Sequence, residues 1–440
     1  MRRNIISALL LSWLLTACGE PQVEYVPLPT TPPTSTAALA APTVPPTETS
    51  VPVVPPTISL DTTEIERQLA QVEKDTANMR GLKPKIDVPE HFVSSDELKY
   101  NMMQETLKEY TPEQARRDVT RLWLLMFVDD RTTDFLQLEI EFAGEAILGY
   151  YDHHSKELFV RTDQPTLSPG SQETLAHEFV HSLQDQHHDL AALLPEGLDH
   201  DQSMALRSLV EGDATVSGLY YASQHMSDRD FAKIFEDSGH GAPPVPGRAP
   251  VYLQEGWQFP YAYGSDFILE IAGAGNYRPV DTAFKDPPRT TEQIMHPDKY
   301  FAKPREGALP VALPPLTDTL GTGWTFRETD TLGEFDLDVM LRENFVDDIR
   351  ASIGWGGARF DLYENGEDAL AIMGSRWDTP RDLDEFEEAL RGSFKLFHKQ
   401  GDLWTDRGRY FGIKRSGDTL MFVSGTVPAV VQKVFAGLQP

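Results

Sequence analysis

The chain has 440 residues, of which 40% are hydrophobic and 24% charged, and its formal net charge is −29. Such a composition supports sizeable buried cores and excludes a chain that is disordered throughout, while the length favours two folded units with non-globular ends. The acidic balance argues against nucleic-acid binding, and the single cysteine excludes an intramolecular disulfide and a thiolate metal site.

Residues 1–17 have the features of a secretory signal peptide. Arg2-Arg3 precedes an apolar run that is too short and wrongly bounded to be a stable spanning helix. The junction Leu15-Thr16-Ala17-Cys18 resembles the bacterial lipobox, and this resemblance implies that Cys18 is acylated, for example by palmitate, and becomes the mature N-terminus. We therefore expect an extracytoplasmic lipoprotein that is held at the cell membrane by an N-terminal lipid anchor.

Residues 18–58 are rich in Pro and Thr and are predicted to be a disordered linker, because they cannot bury enough apolar surface to fold. Regular patterning starts near Ser59, and residues 59–110 are predicted to be a helical pro-region or a packing scaffold. The spacing of apolar residues predicts helices at 63–79, 95–109, 112–127 and 132–148.

The pattern then changes to two short strands, 149–152 and 157–161, joined by a turn. Ser171 is a predicted N-cap for a helix that runs to about Asp189. Further helices are predicted at 202–224, 265–272 and 291–295, with a proline-rich loop near 243–250.

From about Gly333 the order becomes helix, strand pair, helix, strand pair, helix, which predicts a small domain with helices on one face of an antiparallel sheet. The predicted helices are 334–352, 382–397 and 427–438, and the predicted strands are 359–363, 369–374, 410–414 and 419–423. The turns are expected at Asn365-Gly366 and Ser416-Gly417.

His177 and His181 are four residues apart in a predicted helix, so both imidazoles project from one face and can bind one metal ion. Glu178 lies beside them. A zinc ion at this position lowers the pKa of a bound water toward ~7, and the neighbouring carboxylate then serves as general base. The spacing therefore indicates metal-assisted hydrolysis.

Three residues are candidates for the third metal ligand. Asp185 lies ~12 Å along the helix axis from His177, too far to share an ion, and is expected to support the site or face solvent. His187 needs a helix-breaking residue at position 184, where this chain has Gln184. Glu211 interrupts an apolar helical stripe, and a cation from the first helix would be its partner. Glu211 is favoured, and His187 remains the alternative.

The run His177-Glu178-Phe179-Val180-His181, followed by Glu211-Gly212-Asp213-Ala214, resembles the gluzincin-type (peptidase MA-like) metallopeptidases of bacterial envelopes. The resemblance covers about residues 110–300. It implies one zinc ion bound by His177, His181 and Glu211, with Glu178 as the general base. The expected fold is α+β: a mainly helical, zincin-like domain with a small antiparallel sheet at 111–310, and a C-terminal α+β domain at 311–440.

Stabilisation of the transition state needs a further hydrogen-bond donor that faces the developing oxyanion. The candidates are Tyr261 and Tyr263, which precede Gly264, and His296 and Tyr300, which lie further along the chain. Sequence reasoning does not choose among them.

The expected function is hydrolysis of peptide bonds in a peptide or protein substrate by a zinc-activated water. One alternative is a zinc amide hydrolase that acts on a non-protein substrate. Another is a surface binding lipoprotein that contains a metal but is catalytically inactive, although a purely structural metal site has no need for Glu178 as a base.

Overall fold

The computed structural model describes residues 62–144, 148–195, 197–238, 245–273, 276–344, 346 and 349–438. The predicted signal peptide, the predicted acylation site Cys18 and the predicted linker at 18–58 lie outside the described residues. Within the described part of the chain, no helix combines the length and the apolar character needed to cross a membrane.

Helices dominate the first two thirds of the described chain. They are α1 Thr63–Arg80, α2 Ser95–Glu109, α3 Pro112–Leu124, α4 Phe135–Gly144, α5 Pro169–His188, α6 Leu190–Leu193, α7 His200–His225, α8 Asp228–Ser238, α9 Val251–Ala272, α10 Arg278–Ala283, α11 Thr291–Met295 and α12 Pro297–Phe301. The remaining α-helices are α13 Thr317–Leu320, α14 Glu334–Glu343, α15 Pro380–Ser393 and α16 Pro428–Gly437.

The strands form two separate sheets. Those of the small sheet are β1 Glu90–Val93, β2 Gly149–Asp152 and β3 Glu157–Arg161. Those of the large sheet are β4 Thr325–Leu332, β5 Trp355–Asn365, β6 Asp368–Trp377, β7 His398–Gln400, β8 Leu403–Asp406, β9 Arg409–Ser416 and β10 Thr419–Gly425. The structure is therefore α+β, as the sequence predicts.

The small sheet has the order β1-β3-β2, with β1 parallel and β2 antiparallel to β3. Its buried side chains, such as Leu158 and Val160, pack with Leu175 of α5 and with Leu69 of α1 in one apolar cluster. The sheet thus lies against the helix that carries both histidines, and β2 is one of its two edges.

The large sheet is antiparallel, in the order β4-β5-β6-β10-β9-β8-β7. Along β6, Leu370 and Ile372 pack in one cluster with Val431 of α16, whereas Ala371 and Met373 belong to the other, which contains Phe386 of α15. Successive side chains of a strand point to opposite faces. The prediction of helices on one face only is therefore wrong, because both faces bury apolar side chains under helices.

The apolar core is continuous between the helical region and the large sheet. One cluster joins Leu209 of α7 and Phe267 of α9 to Phe335 of α14 and Phe360 of β5. The described residues between 62 and 438 accordingly belong to one compact unit.

Several predicted bounds need correction. The predicted start at Ser171 is wrong, because Ser168 caps α5 by accepting the Ser171 N–H at 3.1 Å and a proline follows at the first helical position. The helix predicted at 265–272 begins at Val251, since Pro260 removes only one internal hydrogen bond and α9 is held by packing against α7. The helix predicted at 334–352 ends at Glu343.

Candidate metal centre

Helix α5 runs for 20 residues without interruption and presents His177 and His181 one turn apart. It ends at His188, and its C-cap Asp189 has a φ of 56°, in the left-handed region. The Nε2 atoms of the two imidazoles are 3.0 Å apart. The same face of the helix thus directs two nitrogen ligands to one point.

Glu211 reaches this point from α7. Its Oε2 lies 3.3 Å from Nε2 of His177 and 3.4 Å from Nε2 of His181. The side chain as a whole keeps 24% of its surface exposed, but the Oε2 atom is buried and has no hydrogen-bond partner among the described residues. A buried carboxylate oxygen without a hydrogen-bond donor requires compensation by positive charge.

The spacing of the three atoms fits a tetrahedral metal ion. Nitrogen and oxygen ligands at zinc distances of about 2.0–2.2 Å and tetrahedral angles lie about 3.3–3.5 Å from one another. The separations of 3.3 and 3.4 Å between Glu211 and the two imidazoles agree with that geometry, and the Nε2–Nε2 separation of 3.0 Å is slightly shorter than it. His177, His181 and Glu211 could therefore hold one divalent cation and leave a fourth position open.

The electrostatics of the site also favour positive charge between these residues. Burial acts to lower the pKa of His181, but the adjacent Glu211 carboxylate outweighs it and raises that pKa to about 9. Burial acts to raise the pKa of Glu211, but the neighbouring imidazoles lower it below its ordinary value. The pair therefore stabilises a cationic charge at the point where the ligand atoms meet.

Glu178 lies beside the two histidines, with a carboxylate oxygen within 4.8 Å of a nitrogen of each. Its Oε2 accepts a hydrogen bond of 2.9 Å from the backbone N–H of Tyr151 in β2. This contact fixes the carboxylate against the small sheet.

Gln184 is a supporting residue whose role sequence reasoning missed. Its Nε2 donates to the carbonyl of Val210 at 2.9 Å and to Oδ2 of Asp213 at 3.0 Å. Because both partners are acceptors, the amide oxygen must face His181, whose Nδ1 lies 2.9 Å away. In the neutral imidazole this contact places the His181 proton on Nδ1, which leaves the lone pair of Nε2 free for a metal.

Tyr261 approaches the cluster from α9. Its ring centroid is 6.2 Å from that of His177. Burial raises the pKa of Tyr261 well above 10, and the carboxylates of Glu211 and Glu178 act in the same direction. The phenol therefore keeps its proton and can act as a hydrogen-bond donor.

Helices α7 and α9 cross in direct backbone contact, which brings Tyr261 close to Glu211. A Cβ atom on Gly212 would lie 2.3 Å from the carbonyl oxygen of Gly264, and one on Gly264 would lie 2.3 Å from the carbonyl oxygen of Ser208. Only glycine permits this approach.

The remaining candidates have other partners. His187 lies 2.8 Å from the carbonyl oxygen of Lys83, and Nε2 of His296 lies 2.8 Å from Oε1 of Glu334. Tyr263 is 39% exposed, and the hydroxyl of Tyr300 donates to the carbonyl of Asp286. None of these contacts involves the two imidazoles of the cluster.

Asp185 is buried and supports the position of the small sheet. Its carboxylate accepts hydrogen bonds from the hydroxyl of Tyr151 at 2.8 Å and from Nζ of Lys156 at 2.8 Å. It therefore ties α5 to both sides of the turn between β2 and β3, and α5 holds Tyr151 through its backbone and its side chain alike.

One family model matches part of the chain. It is described as a domain of unknown function (DUF8575) and covers residues 323–434, which is 112 of the 440 residues and contains none of the candidate site residues. No curated protein and no solved structure matches the chain. The match is thus confined to the large sheet with helices α14 to α16.

Proposed function

We propose that this protein is an extracytoplasmic, lipid-anchored zinc metallopeptidase of the gluzincin type. The observation that carries the proposal is the convergence of His177, His181 and Glu211 on one point, with Glu178 at its side. The elements that supply these residues, an active-site helix, a ligand helix and a small sheet, are the parts expected of a zincin-like domain.

Each residue of the cluster has a distinct task. His177, His181 and Glu211 would hold one zinc ion. Bound there, zinc lowers the pKa of a water molecule toward ~7 and polarises a substrate carbonyl. Glu178 takes the proton from the attacking water and later delivers it to the leaving amine, in the position that the Tyr151 N–H gives it.

The edge of the small sheet favours a peptide as the substrate. In an antiparallel pair, residues that hydrogen-bond to the partner strand alternate with residues that do not. Leu148 bonds to β3, because its carbonyl accepts the Arg161 N–H. The backbone groups of Gly149 and Tyr151 therefore point away from β3. An extended peptide can add to such an edge through main-chain hydrogen bonds. It would then lie beside Glu178, which is already bonded to this strand.

Tyr261 is the proposed oxyanion stabiliser, because it is the protonated donor closest to the ligand cluster among the four candidates.

We expect Tyr261→Phe to lower kcat by about 100-fold, as for loss of one oxyanion donor, with little change in KM. Steady-state kinetics on a cleaved peptide measure this. Tyr263→Phe, on the same helix but at a residue that is 39% exposed and whose ring stacks on Phe259, is the matched control and should retain wild-type kcat. Equal kcat values for the two variants would remove Tyr261 from this role.

The proposed location rests on the lipobox-like junction at Cys18. Incorporation of labelled palmitate into the wild-type chain, and its loss in Cys18→Ala together with release from the membrane fraction, would support the anchor. Labelling that survives this substitution would contradict it.

The central experiment combines metal analysis with a broad substrate panel. Full-length protein in detergent is expected to contain one zinc ion per chain, to cleave members of a peptide library, and to lose both properties reversibly on chelation. Cleavage of non-peptide amides alone would favour the amide hydrolase. Bound zinc without any turnover would favour the inactive binding protein.

A further inference from the structure

Arg80, the last residue of α1, is buried in the interior of the helical region. Its Nε donates to Oδ1 of Asp213 and its Nη2 donates to Oδ1 of Asp281, each at 2.8 Å. The side chains of Arg80 and Asp213 are both 0% exposed, and the guanidinium lies 4.6 Å from the ring centroid of Tyr277. A buried charge of this kind is costly unless each partner stays in place.

Asp213 connects this ion pair to the metal centre. Its second oxygen, Oδ2, accepts from Nε2 of Gln184 at 3.0 Å, and Oε1 of the same amide faces Nδ1 of His181 at 2.9 Å. A continuous chain of polar contacts thus runs from α1 through α7 to α5, and it ends on a metal ligand.

We propose that Arg80 is a positioning residue for the metal centre, and that α1 is a permanent part of the catalytic unit. This inference rests on the proposed function. The sequence leaves two alternatives open for residues 59–110, a packing scaffold and a removable pro-region. The proposal favours the scaffold.

The physical reason lies in the amide of Gln184, which can present either its oxygen or its nitrogen to His181. The Asp213 carboxylate accepts only, so it holds the amide nitrogen on its own side and the oxygen towards His181. Arg80 holds that carboxylate in place from the opposite side. Without it, a flipped amide would donate to Nδ1 of His181 and move the imidazole proton to Nε2, the nitrogen that binds the metal.

Asp213→Asn and Asp281→Asn form a matched pair for the test. Each neutralises one carboxylate partner of Arg80, but only Asp213 contacts Gln184. Zinc affinity of the full-length protein in detergent is measured by competition with a chromophoric chelator, and the thermal midpoint of the metal-free protein is measured separately. We expect Asp213→Asn to weaken zinc binding by about 10–100-fold and Asp281→Asn to bind zinc like wild type.

Arg80→Met should weaken zinc binding in the same way as Asp213→Asn. If Arg80→Met does not fold, the zinc affinity of Asp213→Asn still tests whether this contact chain positions the metal ligands. Equal zinc affinities for the two aspartate variants would overturn the positioning role. A wild-type protein that binds zinc but cleaves no peptide would contradict the proposed function and leave the role of Arg80 in positioning the metal ligands standing.

The permanence of α1 has its own readout. Mass spectrometry of active, purified protein is expected to find residues 63–80 within the same intact chain as the histidines. An active chain that begins after Arg80 would overturn this part of the inference.

Discussion

Glu178→Gln is expected to lower kcat for peptide hydrolysis by about 10²–10⁴-fold, the range for loss of a general acid–base group, while zinc content stays at the wild-type level. The glutamine amide has nearly the same shape, and its oxygen can still accept the Tyr151 N–H. It has no basic carboxylate, however, and cannot take a proton from water. The measurements are kcat on a cleaved peptide and zinc per chain by elemental analysis.

Asp185→Asn is the control for this substitution. It makes the same change from carboxylate to amide on the same helix, and Asp185 also bonds Tyr151, but through the phenol rather than the backbone N–H. We expect this variant to lose some thermal stability, since Lys156 loses the negative charge of its partner, and to keep near-wild-type kcat. Unchanged turnover in Glu178→Gln, with zinc bound, would remove Glu178 from its assigned role.

The local part of the site can be predicted from the sequence because it follows from helix geometry. Four-residue spacing in a helix suffices to place His177 and His181 on one face. Glu211 was favoured because a carboxylate in an apolar stripe needs a partner, and its Oε2 lies within 3.4 Å of both imidazoles. The β2-β3 hairpin follows from its short turn, and its observed bounds, 149–152 and 157–161, are those predicted.

The supporting contacts could not be predicted, because they join residues far apart in the sequence. Arg80 and Asp213 are 133 residues apart, and nothing in the local pattern around either indicates the other. Asp213 carries one usable signal: it is an acidic residue that lies four residues after Leu209 and three after Val210, at the spacing of the predicted apolar stripe. Gln184 was considered only as a residue unsuited to a helix break, whereas its position within an unbroken α5 is what directs it to His181.

In the sheets, too, the strands with a local turn signal can be predicted from the sequence, and strands without one cannot. The hairpin turns at Asn365-Gly366 and Ser416-Gly417 predict β5, β6, β9 and β10. Strand β1 was missed because it pairs in parallel with β3, more than 60 residues later, and has no turn signal of its own. Strand β4 was missed because only one of its eight side chains is buried and it shows no apolar alternation.

The second large effect concerns the identity of the third ligand. We expect zinc at 100 times its Kd to raise the free energy of unfolding of the wild-type protein by about 2.7 kcal/mol, because the ion binds the folded state only. Glu211→Ala should abolish this zinc-dependent increase and the hydrolytic activity. Chemical denaturation of each variant with and without zinc measures the zinc-dependent increase in the free energy of unfolding. Because each variant is compared with its own metal-free state, a loss of stability in that state does not affect the result.

His187→Ala is the comparison that makes this result decisive. The His187 ring is in contact with the Lys83 carbonyl at the end of α5, and that helix continues past Gln184 without the turn that would bring His187 back to His177. We therefore expect His187→Ala to keep the full zinc-dependent increase in stability. The reverse outcome, with zinc stabilisation lost in His187→Ala and kept in Glu211→Ala, would make His187 the third ligand and leave the buried Oε2 of Glu211 without the cation that its position requires.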